Sequence, residues 1–141
     1  MALSSKRKGS AGAHPLLRSV ALDTNALLYI GKFRIDVFRE ILDSMGRVKF
    51  VIPFKVIEEL KALAGKNASL RKQARIAFAL LAKHKAKKVR TQALHADDAL
   101  LELGEKGAVI VTNDRALKER LKEKHAQCMF LRKKKFLAVM E

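Results

Sequence analysis

The sequence predicts an α/β domain built on a mostly parallel sheet. Three observations carry that expectation: short apolar runs of strand length recur along the chain, amphipathic stretches of helical length separate them, and capping residues or glycines mark the junctions. Alternation of this kind favours parallel strands joined by right-handed crossovers. The 141 residues fit one domain, and a domain near this size buries roughly 70% of its unfolded surface. With 49% apolar and 31% charged residues, the composition is that of a folded globular chain rather than a disordered one.

Residues 1–18 are expected to form a flexible basic arm containing Lys6, Arg7 and Lys8, without the apolar stretch of about 7 to 15 residues that a secretory signal carries. A single domain then occupies 19–141. SVALD reads as a strand from Ser19, and Thr24 and Asn25 are capping types for the helix NALLYIG. Ile35, Phe38, Ile41, Leu42 and Met45 recur at helical spacing, and Gly46 stops that helix. VKFVI is a strand. Pro53 suits the first turn of the helix PFKVIEELKALA, which Gly65 and Asn67 close. A long Ala-rich helix from Ser69 to Lys85 follows, with Leu70, Ala74, Ala77, Phe78 and Leu81 on one face. KVRT is a weak strand, ADDALLELGEK a helix ending at Gly107, AVIVT a buried strand, Arg115–Lys124 a helix, CMFL a strand and KFLAV an edge strand.

Thirty Lys and Arg stand against fourteen Asp and Glu, a formal charge of +16. Such an excess repels itself unless a polyanion neutralises part of it, and nucleic acid is the natural partner. Between Glu59 and Asp97 there is no acidic residue, whereas Lys61, Lys66, Arg71, Lys72, Arg75, Lys83, Lys85, Lys87, Lys88 and Arg90 all fall there. Lys61, Arg71, Lys72, Arg75 and Lys83, together with Arg132 and Lys133 of a second cluster, are the candidate RNA-binding residues. An anionic membrane would call for a basic amphipathic helix with Trp or Phe opposite, and the chain has no Trp. The lone Cys128 sits in the apolar stretch AQCMFL, which implies a buried thiol, a reducing compartment and a cytoplasmic location.

The acids are sparse and placed with a pattern. Asp23 and Asp114 each end an apolar strand, and the carboxyl ends of parallel strands form the functional crevice of such sheets. On the helix from Pro53, at about 100° per residue, Glu59 falls at the rim of the stripe Val56, Ile57, Leu60, Leu63, while Glu58 points away. Of the doublet Asp97–Asp98, Asp97 lies at the rim of its helix and is preferred, with Asp98 a supporting or alternate ligand. Singly, each acid also has a plainer role as a cap, a helix-dipole partner or a surface ion pair. Together, carboxylates gathered at one edge would raise one another's pKa unless a cation sat between them. All-oxygen donors without His or Cys suit Mg²⁺ or Mn²⁺, and such ions polarise a phosphodiester and activate water. No HExxH or Cys/His zinc spacing, no glycine-rich phosphate loop and no G-x-S-x-G elbow appears.

Four stretches then resemble the PIN-domain ribonucleases: VALDTNALL around Asp23, VIEELKAL around Glu59, ADDALLELGEKG around Asp97 and Asp98, and VIVTND ending at Asp114. They cover Val20 to Leu131, and IPFKVIEEL, ADD and VTNDRALKERL are most similar to the archaeal toxin-like and ribosomal-RNA-processing branch. The resemblance implies a doubly wound, PIN-like sheet of about five strands flanked by helices, and metal-dependent cleavage of single-stranded RNA. It implies catalytic and metal-binding roles for Asp23, Glu59, Asp114 and a member of the doublet, either Asp97 or Asp98, with Asn25 and Thr112 as supporting polar groups. Single-stranded or structured RNA, a second copy of the chain in a homodimer, and a small inhibitor protein or a ribosomal precursor are the partners it implies. The alternative is a noncatalytic RNA-binding protein of the same fold acting in ribosome assembly; a small-molecule phosphatase would leave the basic block unexplained.

Overall fold

A computed structural model describes residues 17–132 and 136–140. The expected arm therefore lies outside the described residues except for Leu17 and Arg18, and Arg18 belongs to the first strand. The order of elements is β1 (Arg18–Leu22), α1 (Thr24–Phe33), α2 (Val37–Met45), β2 (Val48–Pro53), α3 (Phe54–Ala64), α4 (Ala68–Lys83), β3 (Lys87–Val89), α5 (Ala96–Glu105), β4 (Val109–Val111), α6 (Arg115–Glu123), β5 (Cys128–Arg132) and β6 (Phe136–Met140). The strands form one sheet in the order β3-β2-β1-β4-β5-β6. β1 to β5 are parallel, and β6 returns antiparallel along β5. Among the described residues this is an α/β fold with five parallel strands and six helices, as the alternation of elements predicts.

The core follows from the apolar runs. Val20, Ala21 and Leu22 of β1 and all of β4 are buried, as central strands covered on both faces must be. α1 packs on α4, α4 on α3, and α5 on α6. Cys128 is buried in β5, and burial pushes its thiol up to about 11. His84, just past α4, stacks on Phe38 with ring centroids 5.0 Å apart and meets Asp36 with its Nε2 3.1 Å from Oδ2. That contact pins the end of α4 to the start of α2.

Boundaries shift where side chains cap the backbone. Asp23, rather than Thr24 or Asn25, caps α1, because its carboxylate accepts from the Ala26 N–H. α2 starts at Val37 because Asp36 accepts from the Arg39 N–H, which leaves Ile35 outside the helix. Pro53 is the last residue of β2 and precedes the helix instead of lying in its first turn. Asn67 does not close α3; its side chain accepts from the Leu70 N–H at 2.8 Å and opens α4 at Ala68. α5 stops at Glu105, two residues before Gly107, whose φ is +103°.

The α1–α4 crossing requires Gly31. A Cβ at this position would lie 2.2 Å from the backbone carbonyl oxygen of Gln73, and a main-chain neighbour cannot yield as a flexible side chain would. Gly31→Ala is expected to destabilise the fold by about 3 kcal/mol despite the better helix propensity of alanine. Gly65→Ala meets only an ordinary contact of 3.5 Å and is expected to stabilise by about 0.4 to 1 kcal/mol. Denaturant midpoints of both variants check the pair; equal effects would contradict the packing argument.

Candidate active site

The sheet has a switch point between β1 and β4. Chain connections leave β1 toward β2 on one side and β4 toward β5 on the other, and in open parallel sheets the carboxyl ends of two such strands are where ligands bind. Asp23 follows β1 there, and its N–H donates to the Val111 carbonyl of β4 at 3.0 Å. Thr112, Asn113 and Asp114 follow β4 at the same edge.

Asp23 is 4% exposed and held by both carboxylate oxygens. Oδ1 accepts from the Ala26 N–H at 2.7 Å, and Oδ2 accepts from the buried Thr112 hydroxyl. The same Thr112 oxygen accepts from the Asp114 N–H at 3.0 Å, so one hydroxyl links the two strand-end acids. Asp114 caps α6, its Oδ1 accepting from the Leu117 N–H at 2.9 Å. Both acids therefore stand at helix N-termini, where the backbone dipoles favour negative charge. Even so, burial raises the Asp23 carboxyl from 3.8 to about 6. Its bonds to Thr112 and Ala26 work against the rise, and the charges of Asp97 and Asp114 add to it.

The doublet divides between two environments. Partial burial raises the Asp97 carboxyl, and the charges of Asp114 and Glu59 raise it further against the lowering effect of Arg120. Asp98 instead meets Arg120 of α6, with Nη2 2.7 Å from Oδ1. Glu58 and Glu59 are both exposed on α3; Glu58 pairs with Lys55, and Glu59 is the member whose charge reaches Asp97. Asp23, Asp97, Asp114 and Glu59 thus form one connected electrostatic group. Among the described residues no three acidic, His or Cys side chains stand close enough, as placed, to share one ion.

Other expected residues fall elsewhere. Asn25 is exposed on the first turn of α1 and makes no side-chain hydrogen bond among the described residues. Arg71, Lys72 and Arg75 are exposed on the half of α4 that crosses Gly31, roughly 11 Å along α1 from its start at the acids. Lys83 reaches Asp36 at 3.5 Å, so its charge is shared. Lys61 lines a cavity of about 240 Å³ with Lys88 and Phe78. The side chains of Arg132 and Lys133 lie outside the described residues.

Two polar residues at this edge have structural parts that sequence reading did not assign. Asn113 acts as a substitute peptide group: its amide donates to the Leu131 carbonyl at 3.2 Å and its oxygen accepts from the Leu131 N–H at 2.8 Å. This fixes the segment carrying Asp114 against β5. Thr24 is buried beside Asp23, and its hydroxyl has no hydrogen-bond partner among the described residues. Each lies next to an assigned aspartate, in DTN and TND, the one signal that could have singled it out.

A family model described as a PIN like domain matches residues 20–134. Ribonuclease VapC4 of Methanocaldococcus jannaschii is 34% identical over 122 residues, covering 83% of this chain and 92% of that protein. Ribonuclease VapC9 of Archaeoglobus fulgidus is 32% identical over 127 residues, with 88% and 90% covered. Among solved structures, the PIN domain endonuclease Utp24 superposes with a TM-score of 0.69 at 20% identity, covering 86% of this chain and 90% of that one. A domain of a functionally unknown protein from Methanocaldococcus jannaschii superposes at 0.57 with 16% identity, covering 88% and 94%. On fold, family match and relatives together, the chain belongs to the PIN-domain ribonuclease family.

Proposed function

We propose that the protein is a metal-dependent endoribonuclease that cuts single-stranded RNA by hydrolysis. The observation that supports this reading is the electrostatic coupling that links Asp23 to Asp97 and Asp114, and Asp97 to Glu59, in an otherwise strongly basic chain. The donors are all oxygen, and a carboxyl raised to about 6 beside two others is an environment that a hard divalent cation would relieve. Asp23, Asp97 and Asp114, with Glu59, would hold Mg²⁺ or Mn²⁺, and Asp98 would anchor Arg120. When bound, such an ion lowers the pKa of water and neutralises charge on a phosphodiester.

The chain's own groups supply the rest. Thr112 and the Ala26 N–H fix the Asp23 carboxylate, so it needs no reorientation on binding. Glu59 and Asp97, exposed at the rim, are free to adjust. The Lys and Arg block attracts the phosphate backbone, a term that weakens with salt. Relatives named as ribonucleases support RNA as the substrate. A toxin-like role would add a small inhibitor protein and a homodimer as partners; a processing role would add a ribosomal precursor. No helix among the described residues is long and apolar enough to cross a membrane.

Asp23→Asn is expected to lower RNA cleavage about a hundredfold or more while changing RNA affinity by less than about twofold, since the attracting charges lie elsewhere. Undiminished cleavage would reject the assignment. Stability provides a second check. A carboxyl with a raised folded-state pKa penalises the fold above that pKa, and the penalty vanishes as pH falls below the ordinary value. For Asp23 the cost develops between pH 3.8 and about 6 and reaches about 3 kcal/mol above that window. Metal-free Asp23→Asn should thus be more stable than the parent at pH 7.5, by up to about 3 kcal/mol, with the difference closing toward pH 4. Millimolar Mn²⁺ should raise the melting midpoint of the parent and not of the variant. A variant less stable than the metal-free parent at pH 7.5 would contradict the charge argument.

A further inference from the structure

The carboxyl edge of the sheet carries a second feature, one strand away from Asp23. Pro53 of β2 pairs in register with Val89 of β3, and continuing the β1–β2 register places Pro53 level with Asp23. The next residues out, Phe54 and Arg90, leave the two neighbouring strands side by side. The Arg90 guanidinium carbon lies 5.2 Å from the centroid of the Phe54 ring. Phe54 is 37% exposed and takes no part in the hydrophobic core, and Arg90 is exposed with no ion-pair partner among the described residues. The one other exposed large apolar side chain among them, Leu94, lies in the segment that leads from Arg90 to Asp97.

Folding does not account for this pair. A solvent-facing cation–π contact adds little to stability, and phenylalanine is not a favoured residue in a helical first turn. An aromatic ring beside a guanidinium is, however, a surface on which unpaired bases stack, with the cation available to the adjoining phosphate. Resting on the nuclease reading above, we propose that Phe54 and Arg90 form a base-stacking platform. It would hold a nucleotide of single-stranded RNA next to the carboxylate site and thereby select unpaired over duplex substrate.

The chain contains no Trp, so Phe54→Trp introduces a single indole at the platform. In the full-length chain carrying Asp23→Asn to prevent cutting, a short single-stranded oligoribonucleotide should quench that fluorescence saturably. A ribose-phosphate chain of equal length and charge but lacking bases should not. In the same background Phe54→Ala should weaken binding of the base-bearing oligonucleotide by about tenfold or more, Phe54→Tyr should retain binding, and neither should lower the melting midpoint appreciably. Equal quenching by both ligands, or unchanged affinity of Phe54→Ala, would overturn the platform. Parent protein that fails to cut any RNA while the base-dependent quenching persists would leave the platform standing and reject the nuclease reading alone.

Discussion

The structure turns on a carboxylate kept almost entirely out of water. Asp23 follows β1, caps α1, receives the Thr112 hydroxyl and binds β4 through its own N–H. Three elements, β1, α1 and β4, meet on this residue, so the position of the site and the integrity of the sheet at its switch point are the same constraint. Burying an acid is costly, and the bonds that hold it do not fully compensate, as its elevated pKa shows. The fold therefore concentrates an unfavourable negative charge where a strand-end crevice is open to ligands.

The surrounding charge is arranged around that point by topology. Asp114 reaches it from β4, Asp97 from the first turn of α5, and Glu59 from α3. Arg120 of α6 stands among these acids and Arg90 ends the neighbouring edge, but a separate group of cations lies at the far end of the strands. At the opposite, amino edge a cavity of about 390 Å³ is ringed by Arg18, Lys49, Lys87 and Lys106, and none of the gathered acids lines it. Part of the positive charge is thus set apart from the acids along the strand direction. A polyanion drawn to the domain as a whole would still meet a locally acidic crevice, which a divalent cation would make receptive.

Much of this was legible in the sequence because it rests on periodicity. The all-apolar VIV run marked β4 as central, and the apolar strands before Asp23 and Asp114 set both acids at one sheet edge. What escaped depends on contacts between distant segments. The environment that separates Asp97 from Asp98 comes from Arg120, 22 residues beyond Asp98, and no wheel drawn on α5 alone contains it. Asn113 drew no role of its own because its partner, Leu131, lies in another strand. Asn67 was placed at the wrong end of its turn because the same residue type serves to stop one helix and to start the next. The basic residues of α4 fall in two settings that the charge pattern alone does not separate: Arg71, Lys72 and Arg75 lie on the half that crosses Gly31, and Lys83 turns to Asp36.

The central claim is that Asp23 is a strained anion made comfortable by a divalent cation. Carbon-detected NMR titration of its side-chain carboxyl tests this most directly. Without metal the group should titrate near pH 6, and in millimolar Mg²⁺ its midpoint should fall below the ordinary carboxylate value of 3.8. An Asp23 that titrates at the ordinary value without metal, or whose midpoint Mg²⁺ leaves in place, would contradict the account.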